Sequence, residues 1–219
     1  MLPQSLLYLT LVLAGPAAAP GEDWELAKRK GELEIYSRRH DGTQLKEVLA
    51  SGCIDVPPWV CKNVVDDVES FPEFMPYTVD SRIVARDGED LIVYQRLDAP
   101  MIADRDWVMR TRNESRRRED GVIEYKKTWR SAEGHGPEPS EGVVRILVNQ
   151  GCWIFEPRAK GEGTRVTYRV FTDPGGRIPN WMVNRANTKA IPKLFAAVAE
   201  RALERQYWER RPALPETAE

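Results

Sequence analysis

The sharpest constraint on this chain is a corner near its C-terminal end. Val166 to Thr172 alternates as a β-strand does and runs into Asp173-Pro174-Gly175-Gly176, where proline fixes φ and two glycines let the backbone reverse. Pro179 then suits a first helical turn, in which its missing N–H would have no partner anyway, and the pattern predicts a helix reaching about Trp208. At about 1.5 Å per residue such a helix is on the order of 40 Å long, enough to lie across a small sheet. Ile191, Leu194, Phe195, Val198 and Ala202 form its apolar stripe; followed backward, the stripe meets Trp181, Asn184, Asn187 and Thr188. Amides on a buried face are either satisfied locally or used to hold a ligand in a partly polar cavity, and both readings stay open at this point. Pro192 removes the backbone bond to the Thr188 carbonyl, which predicts a bend where the helix wraps or hinges.

Upstream of the corner the chain reads mostly as strands. Asp23 to Lys30 is expected to form a short helix, Leu33–Ser37 and Gln44–Cys53 a hairpin, and Pro57 to Val68 a helix with Val60, Val64, Val65 and Val68 inward. Six strands follow, over Thr78–Arg86, Leu91–Leu97, Asp106–Glu119, Val122–Ser131, Val143–Glu156 and Thr164–Thr172. Short links between them imply antiparallel neighbours, and the Gly- and Pro-containing connection Glu133–Gly142 reads as a mobile loop. Parity places Ile83, Ala85, Val93, Leu97, Trp107, Met109, Ile123, Tyr125, Val144, Ile146, Val148, Ile154, Val166, Tyr168 and Val170 on one face. A long antiparallel sheet with one apolar face needs a cover, and the terminal helix is the only element long enough. The fold class is therefore α+β, a curved sheet gripped by one helix around a cavity.

The same parity puts Arg105 on the inner face with Trp107 and Met109, opposite Gln95. A buried guanidinium without a partner costs several kcal/mol, so Arg105 needs an acceptor, from its neighbours Asp104 and Asp106 or from a ligand. Asp98-Ala99-Pro100-Met101-Ile102-Ala103 is a loop with an apolar tip, suited to a protein contact or a membrane edge.

Asp104-Arg105-Asp106-Trp107-Val108 resembles the R-D-[FYW]-V motif of START domains, the steroidogenic-acute-regulatory-related lipid-transfer family. The corner resembles that family's D-P-G-G-x-I-P-x-W-x-V-N-like start of the lid helix. Lys46-Glu47-Val48 and Gly151-Cys152-Trp153-Ile154, with Pro157 following, extend the resemblance over Trp24 to Arg205. It implies a helix-grip fold whose interior takes up one lipid or other hydrophobic molecule. The implied ligand-binding set is Arg105, Gln95, Trp107, Met109, Tyr125, Tyr168, Trp181, Asn184, Asn187, Thr188 and Ile191. The implied gate is Pro100, Met101 and Ile102 of the loop with Gly175, Gly176 and Pro192. Some cholesterol-binding members pair the motif arginine with glutamate; Gln95 or Arg96 stands at the matching position here, which argues against sterol binding of that type.

START-like folds also include cyclases and aromatases, so fold alone does not decide between carrier, enzyme and ligand-presenting module. No catalytic residue, cofactor or metal is expected: the chain has only His40 and His135, both in turns, no C-x-x-C and no Gly-rich phosphate loop. Net charge is −2, so no nucleic-acid partner is implied; a monomer with transient membrane-surface contact is expected. Leu6 to Ala14 and the A-x-A-like site ending at Ala19 read as a secretory signal over residues 1–19, placing a domain over 20–210 and a disordered tail over 211–219 outside the cell or in a periplasm. In such a compartment Cys53 and Cys61 are candidates for a disulfide.

Overall fold

The computed structural model describes residues 21, 23–158, 163–176 and 178–213; the leader expected over residues 1–19 and the last six residues of the expected tail lie outside them. The order is β1 (Glu25–Lys30), β2 (Leu33–Arg39), β3 (Lys46–Ile54), α1 (Pro58–Asp66), a 3-10 turn (Val68–Ser70), α2 (Phe71–Phe74), β4 (Thr78–Asp87), β5 (Asp90–Leu97), β6 (Arg105–Arg117), β7 (Ile123–Ser131), β8 (Val144–Arg145), β9 (Val148–Pro157), β10 (Thr164–Asp173), α3 (Asn180–Arg201) and α4 (Arg205–Glu209). All ten strands belong to one sheet, running β1-β2-β3-β10-β9-β7-β6-β5-β4, with β8 off this path and parallel to β6. β3 therefore pairs with the last strand, β10, so the N-terminal strands continue the sheet beside the strand that leads into α3.

One face of the sheet carries the core. Ala50, Val166, Trp153, Phe155 and Tyr125 lie on neighbouring strands in register and pack under Val60, Cys61, Val64 and Val65 of α1 and Ile191, Phe195 and Val198 of α3. A second cluster, Val93, Trp107, Met109 and Ile146, continues the same face toward β5. Gly151 is needed here: a Cβ would run into the Trp129 indole and the Arg169 carbonyl.

Four expectations are corrected. Residues 25–30 form an edge strand on β2 rather than a helix; a helix this short with no face to bury is marginal, while β2 offers a ladder of partners. The strand expected over Val143–Glu156 breaks at exposed Leu147, and parity changes across the break. Ile146 points inward, but beyond it Val148 and Ile154 face away from the core and Trp153 and Phe155 face into it. The helix expected to reach Trp208 stops at Arg201. Continued at about 100° per residue, it would carry Tyr207 to its solvent side. The turn after Arg201 instead buries Tyr207 completely, its hydroxyl donating to Asp67 at 2.8 Å. Finally, Cys53 and Cys61 are free thiols: Cys61 is on the core-facing side of α1, whereas Cys53 alternates with inward Gly52 and Ile54 and lies on the opposite face of the sheet.

The outer face has its own order. Glu47 accepts hydrogen bonds from Arg38 of β2 and Arg169 of β10, tying three strands together, and the Trp24 ring lies 4.6 Å from the Arg38 guanidinium. The Glu133–Gly142 connection, expected to be only a mobile loop, straps this face: a Cβ on Gly136 would sit 2.6 Å from Val108, beside buried Ile92 and Tyr94.

Two outcomes are expected. Gly151→Ala should lower stability by about 1–3 kcal/mol, measured by chemical unfolding, because neither contact has room to give. Burial pushes the Glu47 carboxyl up, but its two guanidinium partners outweigh that and hold it below the usual carboxylate range. Its contribution to stability is therefore present above the unfolded value of about 4.3 and is lost as pH falls through the lower folded value. Glu47→Gln should flatten the acid limb of a melting-temperature profile.

Candidate functional site

β6 starts at Arg105, at one end of the sheet. Leu97 and Gln95 of β5 stand opposite Arg105 and Trp107, so these four side chains share the inner face. Arg105 is 6% exposed and Trp107 8%, and each has a nitrogen that is fully buried without a hydrogen-bond partner among the described residues: Arg105 Nε and Trp107 Nε1. The candidate partners near Arg105 are taken up elsewhere. Asp104 pairs with Arg96 at 2.6 Å, and Asp106, on the outer face, takes Arg145 Nε at 2.7 Å and Nη2 at 3.1 Å. What Arg105 does have is the Ala103 carbonyl, to which Nη1 donates. Burial pulls the Arg105 pKa down against the opposing pull of Asp104. Gln95 donates to Ser81 Oγ at 3.0 Å. The result is a small buried region with donors to spare.

Over it lies the corner. Gly175 and Gly176 both take positive φ, 63° and 71°, the conformation that favours glycine. A Cβ on Gly176 would sit 3.5 Å from Arg105 Nη2, and one on Gly175 would sit 3.4 Å from Val144 of β8. β8 in turn is held to β6 by the Arg145–Asp106 pair, by Val144 N–H donating to Asp104 O and by Ile146 N–H donating to Asp106 O. So two successive residues divide the work: Arg105 points into the interior, and Asp106 on the other face anchors the strand that supports the corner above it.

Deeper along the inner face the lining becomes aromatic. Tyr168 lies 4.4 Å from the Trp153 ring and 5.8 Å from Trp129, whose Nε1 donates to buried Asn149 at 3.0 Å. Burial drives the Tyr168 phenol far up, although the residue keeps some accessible surface. Lys127, also on the inner face, is fully committed to Asp66 of α1 at 3.1 Å.

The expected ligand residues separate accordingly. Arg105, Gln95, Trp107 and Met109 come together at the mouth of β6, and Tyr168 and Ile191 line the same face farther in. Tyr125 is a core residue ten positions of strand away from the Arg105 level, roughly 33 Å along β6, since its partner is Ser115. Trp181 is corrected outright: it is 64% exposed and points to solvent. Asn184 is corrected too, because its side chain accepts from Lys46 N–H at 3.0 Å and donates to the Gln44 carbonyl, latching α3 to the β2–β3 turn. Thr188 donates to the Asn184 carbonyl four residues back, an ordinary helical back-bond. The Asn187 side chain falls outside the described residues. Of the gate, Pro100 and Met101 are exposed, Ile102 is half-buried, and Pro192 sits inside an unbroken α3. Sequence reasoning missed Asn149, Lys127 and Asp66; inward parity of Lys127 beside Tyr125 was the available signal.

A curved sheet, a lid helix and a donor-rich pole under a glycine corner define a helix-grip ligand-binding domain. The family described as "Polyketide cyclase / dehydrase and lipid transport" matches residues 54–199, and the chain belongs to it. The chain is 26% identical over 185 residues to the phosphatidylcholine transfer protein of Rattus norvegicus, covering 81% of this chain and 83% of that protein. An uncharacterised protein of Pseudomonas aeruginosa is 29% identical over 187 residues, 83% of this chain and 89% of that one. The solved STAR-related lipid transfer protein fragment from Xanthomonas axonopodis superposes with a TM-score of 0.73 at 25% identity, over 84% of this chain and all of that one. The START resemblance and the helix-grip fold are thereby established.

Breaking the Asp106–Arg145 pair from one side should cost about 3–5 kcal/mol, because a buried charge is left uncompensated. Asp106→Ala is therefore expected to be much less stable than Asp106→Ala/Arg145→Met, a comparison that thermal unfolding of the two variants checks directly.

Proposed function

We propose that this protein binds and transfers a lipid or other hydrophobic small molecule, holding its apolar part along the aromatic inner face and its polar part at Arg105. The observation that carries this reading is the pair of buried donors without partners among the described residues, Arg105 Nε and Trp107 Nε1, on one face two residues apart. Donors without acceptors suit an acceptor-rich group such as a phosphate, carboxylate or ester carbonyl, for which a planar guanidinium is geometrically apt. The lipid-transfer relatives support the same class of ligand.

The reading includes no chemistry on the ligand. His40 is stacked on Phe171 with ring centroids 3.7 Å apart, engaged away from Arg105, and the Tyr168 phenol is pushed far from any neutral-range proton transfer. Entry runs between the 98–104 loop and the first half of α3. With the leader read as an export signal, the carrier would work in a periplasm or outside the cell, as a monomer that visits membrane surfaces.

Native mass spectrometry of the purified protein should show one stoichiometric lipid. Arg105→Ala should lower affinity for that lipid by about ten-fold or more, the scale of one charge-assisted hydrogen bond. An empty protein that refuses a lipid panel, or unchanged affinity in the variant, would overturn respectively the carrier reading and the role of Arg105. A disulfide engineered between the loop and the start of α3 should slow uptake when oxidised and restore it when reduced.

A further inference from the structure

β6 outruns its neighbour on one side. Its ladder with β5 stops where Leu91 stands opposite Thr111, whereas its ladder with β7 runs on to Arg117 opposite Ile123. Asn113 to Arg117 therefore have β7 along one edge and, among the described residues, no strand along the other. Two bonds fix the direction of the backbone groups. Val108 O accepts from Ala132 N–H, and Arg118 N–H donates to Val122 O, both on the β7 side. Hydrogen-bonding direction alternates along a strand, so the N–H and C=O groups of Asn113, Ser115 and Arg117 turn to the open side. Arg112 to Arg116 are all exposed, and the open edge is about 17 Å long.

The other open edges of the sheet are blunted and this one is regular. β1 carries a register shift between Leu26 and Lys28, and β4 carries two, between Thr78 and Asp80 and between Ile83 and Ala85. Such irregularities discourage the addition of a strand. The register of β6 on β7 is continuous from Met109 to Arg117. Its charge is one-sided as well: residues 112–118 hold Arg112, Arg116, Arg117 and Arg118 against Glu114. Asp90 takes Arg112, and Glu156 and Asp120 take Arg118. Arg116 is 71% exposed and reaches Glu124 only at 4.0 Å. Arg117, on the inner face, makes no ion pair among the described residues, and its Nε is buried without a hydrogen-bond partner there. A strand added to this edge would thus meet one available guanidinium on each face.

We propose that Asn113–Arg117 takes up an extended acidic segment of a partner protein as an added strand. The backbone ladder supplies attachment, and Arg116 and Arg117 select carboxylates on the two faces of the incoming segment. A second copy of this chain fits less well. Antiparallel self-pairing about Ser115 would set Arg116 against Glu114, but it would also set Arg112 against Arg118, like charges directly opposite, and leave Arg117 facing Asn113. Nothing in the proposal depends on what the interior holds.

The test uses a capped hexapeptide that alternates valine with glutamate, and its glutamine and lysine counterparts, titrated into the isotope-labelled protein. The glutamate peptide should slow hydrogen exchange at the amides of Asn113, Ser115 and Arg117 and bind about ten-fold more tightly than the glutamine peptide. The lysine peptide should not bind. Ser115→Pro removes the middle donor on the open side and keeps the β7 ladder, so it should abolish binding. Arg117→Gln should weaken the glutamate peptide about ten-fold and leave the glutamine peptide unchanged. Unprotected amides, equal affinity for the glutamate and glutamine peptides, or wild-type binding by Arg117→Gln overturns the proposal, and these readouts decide it even if Ser115→Pro fails to fold. Protection of the same amides on raising the protein concentration without peptide assigns the edge to a second copy and overturns it too.

Discussion

The structure depends on covering one apolar face of a very wide sheet with very little helix. Nine strands at about 4.8 Å spacing span roughly 38 Å, and α3, at 22 residues, is about 33 Å long and one helix wide. A flat sheet of that width would leave most of its inner side chains in water. Curling the sheet around α3, with α1 filling one flank, buries Ala50, Val166, Trp153 and Phe155, but it leaves the region between β6 and the corner without a helix pressed against it. The lid therefore covers only part of the inner face, and the Arg105 end is closed by the Gly175-Gly176 corner instead.

The outer face ties the strands together with ion pairs, beside one small apolar cluster of Ile92, Tyr94 and Val108 under the 133–142 connection. Glu47 joins β2, β3 and β10, and Asp106 joins β6 to β8. Because side chains alternate across a strand, every outward clamp fixes an inward neighbour. Glu47 adjoins buried Val48, and Asp106 adjoins both Arg105 and Trp107. The orientation of the candidate site is therefore set from behind, by charges that no ligand in the interior would touch.

The lid helix is asymmetric in the way it is held. Its C-terminal half is locked by Phe195, Val198 and Ala202 in the core, and by the contacts of Arg201 with Glu73, Glu204 and Tyr207. Its N-terminal half is held by Val183, in a small cluster with Leu45 and Phe171, and by the Asn184 latch to the β2–β3 turn. Pro192 divides the two halves. The half that is held less firmly begins just after the Gly175-Gly176 corner that lies over Arg105.

Alternation, turn residues and the glycine corner were enough to read the sheet, the lid and the inward aim of Arg105, because each is a local property of a few consecutive residues. The sequence also determined that α3 would carry three cations before its first acid, Glu200. Only the tertiary structure decided which of those local options were used. It turned residues 25–30 into an edge strand because β2 needed a partner, and it ended α3 early because Tyr207 had a place in the core. It spent Asn184 on a backbone latch, and it put Trp181 in solvent. Parity failed after Leu147 because a break in a strand resets which side faces inward, and nothing in the residues themselves records the break. The spare donors of Arg105 and Trp107 belong to the tertiary level for the same reason: whether a polar atom is satisfied depends on distant chain segments that arrive only on folding.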